Sequence, residues 1–212
     1  MNKKIVTIAL IALVVLFAGI GTSMAKDNKS SQGNEYKEFK EKVEKVKSEK
    51  KNKKYIVIDD QEYSKKDFIK SKADHKLFKD LRKEQVSEEK MKKEFVKQKV
   101  LLNEAKKQNL SISKEKAQTY ADKVRKQISK SQNAEQIKEI GQKYRDSLGL
   151  TEEEYWESLV PKYQELLAIG ELKNKYINEY IKDNSSSHRV AAQAWEKHAD
   201  KLAEKATVKM NK

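Results

Sequence analysis

The chain has 212 residues, 47 Lys and Arg against 33 Asp and Glu for a formal charge of +14, and no cysteine. Without cysteine there can be no disulfide, no lipid-modified cysteine and no thiolate chemistry, so an exported form must be held by core packing alone. The positive balance favours acidic surfaces such as anionic lipid headgroups or wall polymers, although Glu alternates with Lys along most helical stretches, the pattern of a solvated helix surface.

In chain order, Lys3 and Lys4 precede an apolar run from Ile5 to Ile20, which leads to Ser23 and Ala25. A basic end, an apolar centre and small residues at the exit are the layout of a secretory signal peptide. The run is shorter than the about 20 residues a spanning helix needs. Residues 1–25 are therefore expected to be a signal peptide cut after Ala25, with an uncleaved membrane tether as the second reading. Either way the protein is secreted or extracytoplasmic, and nucleic acid is not an expected partner.

Residues 26–54 form a charged linker rich in lysine. Within it Tyr36, Phe39, Val43 and Val46 recur at helical spacing, which predicts a thin helix over 35–51. Tyr55-Ile56-Val57-Ile58 is the clearest strand signal, closed by the turn-favouring Asp59-Asp60, and Gln61 to Tyr63 can return as a second strand. Ser64, with Asp67 three residues on, caps a helix over about 65–83 that buries Phe68, Ile69, Leu77, Phe78 and Leu81.

Ser87 caps the next helix, with a stripe of Met91, Phe95, Leu102 and Ala105, and Asn109 supplies a left-handed stop. Ser113 caps a one-faced amphipathic helix carrying Ala117, Tyr120, Ala121, Val124 and Ile128. Another helix follows, marked by Ile137, Ile140, Tyr144 and Leu148 and ended by Gly149. Thr151 and Glu154 have capping-box spacing and open the longest helix, Thr151 to Ile181. Its apolar residues cover more than one stripe, so it has neighbours on several sides, and Pro161 inside it is expected to kink it. Lys182 to Ser187 reads as a polar connection. A last helix presents Ala191, Trp195, Ala199, Leu202 and Ala206, and the alternation Thr207-Val208-Lys209-Met210 predicts a third short strand beside Tyr55 to Ile58.

The strand, turn and capped helix YIVIDDQEYSKKDF, the helix KEFVKQKVLLNEAKKQNLSISKEKA, the segment LGLTEEEYWESLVPKYQELLAIGELK and the closing AAQAWEKHADKLAEKATVKM together resemble the N-terminal chaperone domain of SurA-type and PrsA-type extracytoplasmic foldases. The resemblance covers residues 55–212. It implies a mainly α fold: a SurA N-terminal-like helical domain with a small two- or three-stranded β element, closed by the C-terminal helix. It also implies binding of unfolded exported polypeptides without ATP. In that family a parvulin-type prolyl isomerase domain is inserted before the closing helix. Here only Lys182 to Ser187 separate Ile181 from His188, where such a domain needs about a hundred residues, so the chaperone part alone is expected, with no isomerase activity. Asp60-Gln61 also departs from the Asn-Gly-like turn of relatives.

Catalysis needs a positioned nucleophile, an acid and base or a metal, and the sequence supplies no such set. His188 and His198 lie close to one face of the last helix but lack a third ligand. Asp59-Asp60 reads as turn chemistry, and Glu152 to Glu154 as charge matched to a helix N-terminus. Neither enzyme, metal site nor cofactor is expected. Capture of unfolded chains needs accessible apolar and aromatic surface in a concave place. The candidates are Tyr155, Trp156, Tyr163, Tyr176 and Tyr180 on the long helix, with Met91 and Phe95 opposite; for each, the plain alternative is ordinary core. A second functional reading is a structural or adhesive basic protein that holds anionic wall polymers or lipid surfaces.

Overall fold

A computed structural model of the chain describes residues 41, 54–64, 67–69, 71, 87–131 and 134–210. The signal peptide, nearly all of the charged linker and most of the helix expected over 65–83 lie outside these residues. Glu41 is helical, and so are Asp67, Phe68, Ile69 and Ser71.

The protein is mainly helical with a small three-stranded antiparallel sheet. Its elements with fully described bounds are β1 (Lys54–Ile58), β2 (Gln61–Ser64), α1 (Glu88–Lys107), α2 (Lys114–Ser129), α3 (Ala134–Leu148), α4 (Glu152–Asn184), α5 (His188–Lys205) and β3 (Val208–Met210). In the sheet β1 is central, pairing Ile58 with Gln61 of β2 and with Val208 of β3. The β1–β2 turn is Asp59-Asp60 with φ of 46° and 65°, the two left-handed residues of a type I′ turn, a role usually given to Asn-Gly. Asp59 also holds the far end of the chain. Its N–H donates to the Thr207 carbonyl at 3.1 Å, and its carboxylate accepts from the Thr207 N–H at 3.0 Å.

Helix ends follow local chemistry. The hydroxyls of Ser87, Ser113 and Ser187 accept from the N–H three residues on, as N-caps do. Ser64 and Asp67 exchange the reciprocal bonds of a capping box. At the end of α1, Leu110 N–H returns to the Ala105 carbonyl and Asn109 takes φ 58°, the Schellman arrangement. Gly149, with φ 65°, ends α3 the same way.

The last two helices differ from expectation at their C-terminal ends. The polar residues Lys182, Asp183 and Asn184 continue α4, since none is a breaker, and the chain turns at Ser185 in the left-handed region. The connection is thus shorter than expected, and Ser187 caps α5. Ala206 lies just past α5 in extended backbone. Pro161 sits inside α4, which is helical on both sides of it; it offers no N–H to the Glu157 carbonyl.

Among the described residues two apolar cores result. The larger joins α1, α2, α4 and α5 through residues such as Leu102, Ala121, Val160, Tyr163, Leu172 and Trp195. Buried alanines at 105, 117, 121, 191 and 199 allow the helices to approach closely. The smaller gathers Ile56, Ile58, Phe68, Phe95 and Val100 beneath the sheet. Phe95 is its centre, 1% exposed, with the rings of Phe68 and Tyr63 edge-on at 5.4 and 5.9 Å. Burying one such side chain contributes about 1.5–3 kcal/mol.

A few lysines are committed to ion pairs between helices. Lys99 of α1 holds Glu165 of α4, Lys97 of α1 holds Asp200 of α5, and Lys116 of α2 holds Glu171 of α4. α5 therefore packs on α1 and α4 and carries β3 back to β1: the C-terminal segment closes the structure.

Candidate functional site

α3 makes its principal contacts with α2 and α4. It is suspended between two short connections, and Ile137 is its one buried apolar residue among those whose side chains are described. A helix leaning on two others along a thin contact leaves space beside it. Here that space is a cleft of about 800 Å³ bounded by α2, α3 and the first turns of α4, within the size range of ligand sites.

Three elements build the cleft. α2 contributes Asp122, Arg125, Lys126 and Ile128. α3 presents Ile137, Lys138, Gly141 and Arg145, at the spacing of one helical face. α4 adds Glu152, Tyr155 and Trp156, placed immediately after the Thr151 cap. That cap is a complete capping box. Thr151 Oγ1 accepts from the Glu154 N–H at 3.2 Å, and the Glu154 carboxylate accepts from the Thr151 N–H at 2.8 Å. These bonds hold the Glu154 carboxyl below its ordinary pKa. The register of Tyr155 and Trp156 is fixed with the cap.

Trp156 is half-buried, packed at its inner side against the larger core, with the Tyr155 ring tilted against it at 5.8 Å. Arg125 lies over the Trp156 ring at 5.8 Å, a cation–π placement. Its guanidinium also donates to Glu152 at 2.7 Å and Glu153 at 3.1 Å. The Glu153 contact, then Glu152, raises the Arg125 pKa against an opposing effect of partial burial. The wall is therefore a fixed stack of carboxylates, guanidinium and indole.

Of the residues expected from sequence, Tyr155 and Trp156 meet in this cleft. Phe95 is the centre of the smaller core, and Tyr163 is 4% exposed in the larger one, its ring edge-on to Tyr120 at 5.2 Å. Burial pushes the Tyr163 hydroxyl pKa up strongly. Tyr176 stacks on Tyr180 at 6.0 Å and on His198 at 4.5 Å, at the seam between α4 and α5. Met91 is half-buried in the first turn of α1. The seven candidates thus do not form one surface, because the long helix carries its aromatics around its circumference and different neighbours meet them. Sequence reasoning missed Arg125, Ile128, Ile137 and Arg145. The available signal was the second apolar stripe begun by Ile137, on a helix bracketed by polar breaks and so free to stand off from the bundle.

Among the described residues no three His, Cys, Asp or Glu side chains gather as metal ligands, and no helix is long and apolar enough to cross a membrane. No family model, curated protein or solved structure matches this chain.

Proposed function

We propose that this protein is an exported, ATP-independent chaperone-like protein that binds unfolded secreted polypeptides in the cleft between α2, α3 and α4. The observation that carries the reading is the half-buried Tyr155–Trp156 pair on the wall of an open cleft that also offers Ile128 and Ile137. An amphipathic ring with one face available is suited to transient contact with apolar side chains of a chain that has not folded. The return of α5 and β3 onto α1 and β1 agrees with a helical domain closed by its C-terminal segment, as the resemblance to the SurA and PrsA type implies. α3 is joined to the bundle through a thin contact and can adjust to segments of different size.

The test is suppression of aggregation of a reduced, unfolded client, followed by light scattering without nucleotide. Trp156→Ala is expected to weaken suppression at unchanged helicity; Phe substituted at Tyr176, outside the cleft, is the control and is expected to act as the parent. Full suppression by Trp156→Ala would remove the cleft from the function. The strong positive charge supports a second reading, attachment to anionic polymers or lipid surfaces. Salt separates the two, since attachment by charge alone collapses as ionic strength rises, whereas apolar capture persists.

A further inference from the structure

Building on the reading of the cleft as a peptide site, we propose that it selects segments in which an apolar residue is flanked by carboxylates. The lining holds four cations, Arg125, Lys126, Lys138 and Arg145, against two carboxylates, Asp122 and Glu152, and the pairing within it is uneven. Glu152 is engaged by Arg125, and Asp122 accepts from the Gln118 amide at 3.1 Å. Arg125 is satisfied by two carboxylates and fixed over Trp156. Lys138 meets Glu135, but that carboxylate is 91% exposed, so the pair is weak and readily exchanged.

Lys126 on the α2 wall and Arg145 on the α3 wall are left over, and among the described residues neither meets a carboxylate. Arg145 is half-buried. Its guanidinium lies beside Gly141, where a Cβ would stand in ordinary van der Waals contact with Nη1 at 3.5 Å. The same lining holds the apolar contributions of Ile128, Ile137 and Trp156. An occupant that complements both features carries an apolar side chain for this lining and carboxylates for the cations on the α2 and α3 walls, which a segment with acidic flanks supplies. A planar guanidinium that is partly dehydrated donates to both oxygens of a carboxylate in two-point geometry, which gives selectivity a neutral flank cannot match. Basic flanks meet repulsion from both walls and are rejected. The positive charge of the whole chain adds to this by drawing acidic segments toward the surface.

The experiment uses three labelled peptides with one apolar centre and Glu, Ser or Lys flanks, together with polyglutamate, which has no apolar centre. Binding is read by fluorescence anisotropy and by the emission of Trp156, with Trp156→Phe as the blank. In the parent protein the Glu-flanked peptide is expected to bind about tenfold tighter than the Ser-flanked one at low salt, and the Lys-flanked one more weakly than either. In Lys126→Gln/Arg145→Gln the Glu-to-Ser ratio is expected to fall to near one while the Ser-flanked peptide keeps its affinity, with circular dichroism unchanged. Equal binding of Glu and Ser flanks by the parent, or a ratio that survives the double substitution, overturns the selectivity and leaves the cleft as a peptide site. Polyglutamate binding as tightly as the Glu-flanked peptide overturns it in favour of a purely electrostatic surface. Failure of every peptide to bind or to move the Trp156 emission overturns the peptide site itself.

Discussion

Replacing Lys99 by Met tests whether the ion pair between α1 and α4 joins the two cores. Lys99 Nζ lies 2.7 and 2.9 Å from the two oxygens of Glu165, and above the Tyr63 and Phe95 rings at 5.5 and 5.8 Å. It therefore ties the smaller core to the long helix. At 2.7 Å and an effective dielectric of about 20, the Coulomb attraction is about 6 kcal/mol before desolvation. The Lys99 side chain is 11% exposed, and removing it from water takes back several kcal/mol. Glu165 is 31% exposed, so it rehydrates in part when its partner is lost. The single change is then expected to destabilise by about 1–3 kcal/mol, below the about 3–5 kcal/mol of a fully buried pair. Glu165→Leu alone should be similar, and the double replacement by Met and Leu should return most of the loss, because two apolar side chains need no compensation. Urea unfolding of the four proteins gives the coupling energy directly, expected at about 2–5 kcal/mol, the sum of the two single losses less what the double variant retains. A coupling below about 0.5 kcal/mol, or a neutral Lys99→Met, would show that the pair is a surface contact and refute its role as the join.

Thr151→Ala should destabilise the protein by about 1 kcal/mol in thermal melts, because it removes the hydroxyl that accepts from the Glu154 N–H, while the backbone N–H at 151 that donates to the Glu154 carboxylate remains. The Glu154 carboxyl is depressed from its ordinary 4.5; a lowered native pKa means the stabilisation is present above that value and is lost as pH falls through the lower native one. Acid titration followed by helicity should show this loss in the parent and not in Glu154→Gln. Tyr163 works at the opposite end of the pH range. Its native pKa is raised from 10.0 by burial, with Tyr155 and Tyr120 adding to the rise, so its contribution is intact below about 10 and is lost as pH climbs beyond. Tyr163→Phe should blunt alkaline unfolding, though not abolish it, since Tyr63 and Tyr120 are raised as well. Asp60→Gly should stabilise by about 0.5–1 kcal/mol in urea titrations, since φ is 65° there and glycine accepts that conformation without strain.

Features set by chemistry within a few residues could be read directly from the chain. Thr151 and Glu154, Ser87, Ser113, Asn109 and Gly149 all act where their spacing places them, because a cap is a contact between neighbours. The alternation at 207–210 was also readable, and its partner was the clearest strand in the chain. The end of α4 was less so: Lys182 to Asn184 are polar, but polarity does not stop a helix that contains no breaker, and the turn waits for Ser185. The functional surface was the least accessible. Apolar spacing says that Phe95, Tyr163 and Trp156 face something, not what they face. The first two meet other core residues, and the third meets a cleft made by the separation of α3. That separation depends on how three successive helices pack against one another, and the apolar spacing within each helix carries no record of it.

The most direct test of the cleft as the place where unfolded chains are held is cross-linking from single positions. A photoreactive residue is placed at Gln142, exposed on the α3 side of the cleft, or at Glu179, exposed on α4 and outside the cleft lining, and each protein is illuminated with a permanently unfolded client. Capture at 142, competed by unlabelled client and lost with Trp156→Ala, against background at 179, is the predicted result. Equal capture at both positions, or capture at 179 alone, would contradict the assignment.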